Sequence, residues 1–396
     1  MMTAIRVPSR RLAASLSLAF IAIAASRITA FEIPFPQTGA QIRSSIVSSD
    51  VLATSSPSLP VPITQTVKLS SGTSAEIITC RPKVLSPNFL ESIFRTDGNK
   101  SNKKPVLAFL HGSFHASWCW AEHYMPFFAE RGYECVSLSL QGTGGTPAIP
   151  QGSKKVQISS HVADFDAFLK GLSSKSSNNL GLELGDNPQV VLIGHSFGGL
   201  TNMKWLEKYY SSSDRADVNL AGVGLLCSVP PSGNGPMTLR YLLRSFKDSY
   251  KITVGFAMKK AIVDKTLCRE LFFGGDEVES GISDEQLEKY QSHFERDTVA
   301  TIDLKDLAGK LPSKLVDKKS GKAPFADDLR SLALKPFVLG ATGDFIVDKE
   351  GVIETCKYMG LDVQEDVKMI DSPHDVMLGA KWMNGAEAIL KWIEGV

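Results

Sequence analysis

Apolar residues gather into short runs at 106–110, 134–140, 190–193, 221–228 and 336–340, each followed within three residues by glycine or proline. Runs this short and this continuous read as strands buried on both faces. Between them the apolar spacing changes to a helical period and predicts helices over 118–131, 158–172, 200–209 and 349–359. A last strand at 366–370 and a helix at 378–392 close the chain. Strand and helix in alternation imply an α/β fold, a mostly parallel, doubly wound sheet with helices on both faces. Ahead of it, Val67, Leu69, Ala75, Ile77 and Ile78 flank Ser70-Ser71-Gly72, the pattern of a hairpin over 65–80. Residues 88–104 are polar and read as a loop.

The alternation stops at Pro230-Pro231-Ser232-Gly233, and 237–331 reads helical, with Leu239, Leu242, Leu243, Phe246 and Tyr250 at helical spacing. The expected organisation is therefore a core over 61–229, an inserted helical lid over 230–333 and the completion of the core over 334–396.

The chain has 396 residues, 43% of them hydrophobic and 21% charged, an ordinary globular balance. A net charge of +1, with no long basic block or zinc-finger spacing, gives no electrostatic footprint for nucleic acid. The expected partner is a small molecule or a lipid. Cys80, Cys119, Cys135, Cys227, Cys268 and Cys356 form no Cys-x-x-Cys pair, so neither metal nor cofactor is expected. They read as buried small hydrophobes, with a disulfide open to them in an oxidising lumen. Between Arg240 and Arg269 the insertion interleaves Arg244, Lys247, Lys251, Lys259, Lys260 and Lys265 with apolar residues. Such a face either meets an anionic membrane peripherally or is the solvated side of packed helices. Oligomeric state is not set by any of these features.

Arg6, Arg10 and Arg11 precede an apolar run over 12–25 that ends in small residues at Thr29-Ala30, the layout of a secretory signal. The run is shorter than the roughly 18 residues a membrane span needs, so cleavage is expected. Phe31 follows, and 37–58 is rich in Ser, Thr and Ala. This resembles the bipartite presequences of algae with complex plastids; a plastid destination and plain secretion both stay open. Asn99-Lys100-Ser101 is a glycosylation sequon.

Chemistry enters at Gly194-His195-Ser196-Phe197-Gly198, which follows a buried-strand run and precedes a helical pattern. That context makes Ser196 the nucleophile on a strained strand-to-helix turn. A hydroxyl nucleophile needs a base, and His374 lies beyond the last predicted strand, where loops at carboxyl ends of strands share one crevice. The base needs a carboxylate to hold its tautomer. Asp344 follows the strand at 336–340 and gives the order Ser, Asp, His; Asp348 is the alternative, better placed to cap the next helix. Asp375 reads as a surface or capping residue. Two backbone N–H groups must receive the developing negative charge, those of Phe197 and of Ser113 in the loop after 106–110. His111 reads as a structural brace of that loop.

These residues, His111-Gly112, the Ser196 pentapeptide, Asp344 and His374 in that order, resemble the α/β-hydrolase fold family from about residue 65 to the C-terminus. The stretch His111-Gly112-Ser113-Phe114-His115-Ala116-Ser117-Trp118-Cys119-Trp120 resembles the plant methylesterase and hydroxynitrile lyase group and related plastid-type hydrolases. Asp375 stands where hydroxynitrile lyases of that group carry a lysine, which disfavours lyase chemistry. Ser196 stands where dehalogenases and epoxide hydrolases of the fold need a carboxylate. The resemblance implies a serine carboxylic-ester hydrolase. A perhydrolase, haloperoxidase or acyltransferase with the same triad, and a non-catalytic receptor on the same scaffold, are the alternatives. The long insertion argues against a small methyl ester as substrate.

Overall fold

The computed structural model describes residues 59–82, 104–173, 184, 187–211, 218–257 and 259–395. The signal, the transit-like segment, the sequon and nearly all of the polar loop lie outside the described residues.

Ten strands are present among the described residues: β1 (Ile63–Lys68), β2 (Ser74–Cys80), β3 (Val106–Leu110), β4 (Cys135–Leu138), β5 (Lys155–Val156), β6 (Val190–His195), β7 (Leu220–Leu226), β8 (Thr301–Ile302), β9 (Phe337–Gly343) and β10 (Val367–Pro373). Eight of them form one sheet in the order β1-β2-β4-β3-β6-β7-β9-β10. The β1–β2 hairpin and the β2–β4 pair are antiparallel, and every pair from β4 to β10 is parallel. Each residue of β3, β6 and β7 is buried, as runs without polar alternation require when both faces are covered.

One covering layer is α1 (Trp118–Ala121) and α2 (Tyr124–Glu130) with the C-terminal helix α12 (Trp382–Glu394), whose Trp382 stacks on His123 at 4.8 Å and meets Phe127 edge-on at 5.8 Å. The other is α3 (Ile158–Ser173), α4 (Phe197–Ser211) and α11 (Lys349–Tyr358). Trp205 lies 6.0 Å from Phe165, and the Tyr358 hydroxyl donates to Glu207 at 2.9 Å. The single helix expected over 118–131 is two helices. Pro126 has no N–H for the carbonyl of Glu122 and its ring would collide there, so the chain restarts at Tyr124.

Between β7 and β9 the helical expectation is met in short pieces: α5 (Asn234–Arg244), α6 (Phe246–Ile252), α7 (Lys265–Cys268), α8 (Glu277–Ser280), α9 (Asp284–Asp297) and α10 (Leu304–Lys310). π-helical turns lie at Thr253–Ala257 and Arg269–Phe273. Of α5 only Met237 is buried, while its Leu242 and Leu243, like Tyr250 of α6, are exposed despite their helical spacing. This helix docks through charge: Arg240 grips Asp348 with two bonds of 2.6 Å, and Arg244 reaches Glu350 at 2.5 Å. Lys251, Lys265 and Arg269 also sit in ion pairs within the protein. Strand β8 pairs with β5, which ties the insertion to the approach of α3. No helix among the described residues is long and apolar enough to cross a membrane.

Candidate active site

Strand β3 lies between β4 and β6, so the chain leaves it toward one side and returns on the other. Loops diverge at such a point and leave a crevice at the carboxyl ends. The segment after β3 and the turn after β6 meet there. A Cβ built on Gly112 would stand 2.7 Å from that of Ser196, so only a glycine lets the two backbones approach this closely.

Ser196 joins the end of β6 to the start of α4 at φ 52°, a left-handed conformation rare for a residue with a side chain. Its N–H donates to the Leu226 carbonyl at 3.0 Å, and its own carbonyl accepts from Val229 at 3.0 Å and Gly199 at 3.1 Å. The turn has no slack: a Cβ on Gly198 would come within 2.3 Å of the Leu110 carbonyl oxygen. Neighbouring structure thus over-determines the strained residue.

On the far side of β7, Pro373 of β10 pairs in register with Gly343 of β9. His374 and Asp344 are the next residues of two parallel strands and emerge side by side. His374 Nδ1 lies 2.9 Å from both carboxylate oxygens of Asp344. Those oxygens accept, so Nδ1 carries the proton and Nε2 is left as the basic nitrogen. Asp344 is itself fixed by the Ile346 and Val347 N–H groups, each at 2.8 Å. Burial alone would lower the His374 pKa; the charge and hydrogen bond of Asp344, with the charge of Asp375, carry it above the ordinary histidine value.

Asp348 caps α11 through Gly351 N–H at 3.0 Å and binds Arg240, while the carboxylate on His374 is that of Asp344. His111 is a brace, as expected: Nδ1 donates to the Gly112 carbonyl at 2.8 Å and Nε2 accepts from Leu140 N–H at 3.0 Å. Burial drops its pKa to about 4, so the ring is neutral. The N–H groups of Ser113 and Phe197 take part in no backbone hydrogen bond among the described residues. Phe197 opens α4, where an N–H has no partner within the helix.

Three neighbours of the site were not foreseen. His195 Nε2 donates to the His374 carbonyl at 2.9 Å, with the rings 4.7 Å apart; burial first, and then the charges of His374 and His115, hold it neutral. Cys227, at φ 43° after β7, touches Asp344, and burial ahead of that carboxylate pushes its thiol well up. Asp375 corrects a sequence expectation: it is fully buried, not a surface or capping residue, and pairs with His115 Nε2 at 2.9 Å. Its adjacency to His374 was the available signal, but a single sequence holds no sign of a partner 260 residues away. His195, His374 and Asp375, and likewise Cys227, Asp344 and His374, bring ligand-type atoms within 4.8 Å of one another. Their contacts to one another account for this clustering. All six cysteines are free and buried.

A parallel sheet with helices on both faces and a serine turn at its switch point define a class of α/β enzyme scaffold. Residues 107–380 match the model of the alpha/beta hydrolase family, and the chain belongs to that family. Methylesterase 2 of Arabidopsis thaliana is 24% identical over 111 residues, 28% of this chain and 37% of the relative. Norfluorocurarine synthase 1 of Strychnos nux-vomica is 23% identical over 113 residues, again 28% and 37%. The match thus spans little more than a third of those relatives. Potato (Solanum tuberosum) epoxide hydrolase I superposes with a TM-score of 0.53 at 17% identity, over 85% of this chain and all of that one. An esterase from Exiguobacterium antarcticum gives 0.50 at 14% identity, over 84% and 100%. At these identities the likeness is one of fold.

Proposed function

We propose that this hydrolase-family chain is a serine carboxylic-ester hydrolase acting on an apolar ester or lipid through an acyl-enzyme. The observation that carries the reading is the clamp of His374 Nδ1 by both oxygens of Asp344, at the same end of the sheet as a serine held at positive φ on the turn after β6. A nucleophile that is a hydroxyl, not a carboxylate, separates it from epoxide hydrolysis, although an epoxide hydrolase shares the fold.

In this reading Ser196 Oγ attacks the ester carbonyl and His374 Nε2 takes its proton. Asp344 keeps Nδ1 protonated and stabilises the imidazolium. The oxyanion is received by the N–H groups of Ser113 and Phe197, each worth about 3 kcal/mol of barrier. His374 then protonates the departing alkoxide, and water repeats the sequence to release the acid. The insertion serves as the lid that selects the acyl chain: its Phe272 and Phe294 already pack on Phe114 next to Ser113, at 5.5 and 6.0 Å. A peripheral contact with a membrane would use the exposed Leu242, Leu243 and Tyr250 of that lid. The N-terminal 30 residues would take the chain into the secretory route, ending in the lumen or in a plastid.

The test is hydrolysis of p-nitrophenyl esters from short to long chain, with labelling by a fluorophosphonate probe. Ser196→Ala is expected to lose the label and more than 10³-fold of kcat. Undiminished turnover in that variant, or a folded wild type that takes no label, overturns the reading.

A further inference from the structure

The segment after β3 and the residue after His374 are joined by a contact that the mechanism above does not use. His115 and Asp375, 1% and 0% exposed, meet at 2.9 Å. His115 Nδ1 faces the Ser113 carbonyl at 2.8 Å. Both ring nitrogens therefore face an oxygen, and the ring bridges the Ser113 carbonyl and the Asp375 carboxyl group. A buried hydrogen-bonded pair of this kind is costly to break from one side, because the remaining polar group is left without its partner.

Each partner is anchored to one half of the site. On the His115 side, the bond to the Ser113 carbonyl fixes the rotation of the Ser113–Phe114 peptide. Phe114 stands at φ 69°, a strained value for an aromatic residue, and its ring is held by Phe272 and Phe294. On the other side, Asp375 N–H donates to the Phe272 carbonyl at 3.1 Å, and Val376 N–H donates to the His374 carbonyl at 2.9 Å. The backbone carrying His374 is thus set by the residue that holds His115.

We propose that the His115–Asp375 pair is a positioning device that couples the oxyanion segment to the loop of the general base. His115 holds the Ser113–Phe114 peptide, the one that follows the peptide carrying the Ser113 N–H, and so limits how the oxyanion segment can turn, and Asp375 sets a second carboxylate against His374. The proposal rests on the serine-hydrolase reading. The titratable groups around His374 are Asp344 after β9, Cys227 after β7, His195 at the end of β6, and Asp375. Around Asp375 they are His115, Cys119 of α1, Cys268 of α7 and Tyr290 of α9. Among these, His115 is the one hydrogen-bonded to Asp375 in the described structure.

Two substitutions separate the partners. Asp375→Asn keeps an acceptor for His115 but removes the negative charge, so the acid limb of kcat/KM moves to lower pH. His115→Gln takes the imidazole away from Asp375 and leaves that carboxylate to act on His374 alone, so the same limb moves to higher pH. Each lowers kcat about tenfold with KM nearly unchanged, and the double variant loses less than the product of the two. Rates are expressed per site titrated with the fluorophosphonate probe, so that unfolded protein does not count. Limbs that stay in place, or that move together, overturn the proposal, as does a double variant whose losses simply multiply. If Asp375→Asn does not fold, the upward limb of His115→Gln and its unchanged KM decide. Failure of the serine-hydrolase reading shows separately, as a wild type that takes no label.

Discussion

Gly112 illustrates how a residue without a side chain sets the chemistry of its neighbour. A methyl group at this position would overlap Ser196 Cβ at 2.7 Å and press on His195 at 3.3 Å. Backbone cannot yield there without moving the Ser113 N–H. Gly112→Ala is expected to lower kcat about 10²-fold, the scale of a displacement near 1 Å at a reacting group, with far less effect on the melting temperature. Steady-state kinetics beside a thermal melt check this, and a variant with wild-type kcat contradicts the close approach. The turn at Ser196 and the pairing of Asp344 with His374 were legible because strand ends and motif order constrain them. Asp375 was not, since burial and pairing with His115 depend on two loops that meet only in the folded sheet. The same holds for His195, which occupies a variable place in the Gly-x-Ser-x-Gly pattern and yet holds the His374 carbonyl.

Elements that bury both faces announced themselves; those that dock by charge did not. Strands β3, β6 and β7 are continuous apolar runs with no alternative use, and α4 follows its turn directly. The sheet order, with β3 between β4 and β6, was beyond reach because parallel pairing leaves no local trace. In the insertion, apolar spacing predicted a buried face for α5, but the helix is held through Arg240 and Asp348. Asp348 does double duty: Oδ1 caps α11 at Gly351 and both oxygens bind Arg240. Burial would raise its pKa, but Arg240 and the cap hold it below the usual carboxylate range. Asp348→Ala is expected to cost about 2 kcal/mol, roughly 1 from the cap and the rest from a half-buried arginine left without its partner. Asp348→Asn keeps the cap and should cost about half as much. Urea denaturation of both variants checks the difference; equal losses would mean that the cap contributes nothing.

Across the whole molecule, buried histidines set a limit on acid stability. Burial lowers His111 and His161 to about 4 and His195 well below its ordinary value, against roughly 6.5 in the unfolded chain. Between those values the unfolded state binds protons that the folded state refuses, so stability is full above about pH 6.5 and falls as pH drops toward 4. His111 and His161 each carry on the order of 3 kcal/mol across that window. His374 runs the other way: its raised value adds stability that is complete below about 6.5 and fades only as pH rises above it, so it does not offset the acid loss. Asp348 and Asp166, both held low, give up their contributions only below about 4. Unfolding free energy measured in urea should therefore drop steeply between pH 6.5 and 5, before carboxylates take part. His161 is bonded to the Gln141 carbonyl at 3.2 Å, so His161→Gln should remove about one proton from the slope and leave the proposed ester hydrolysis at neutral pH intact. A stability curve that is flat over this window in the wild type, or equally steep in the variant, would show that the buried rings open to water before they charge.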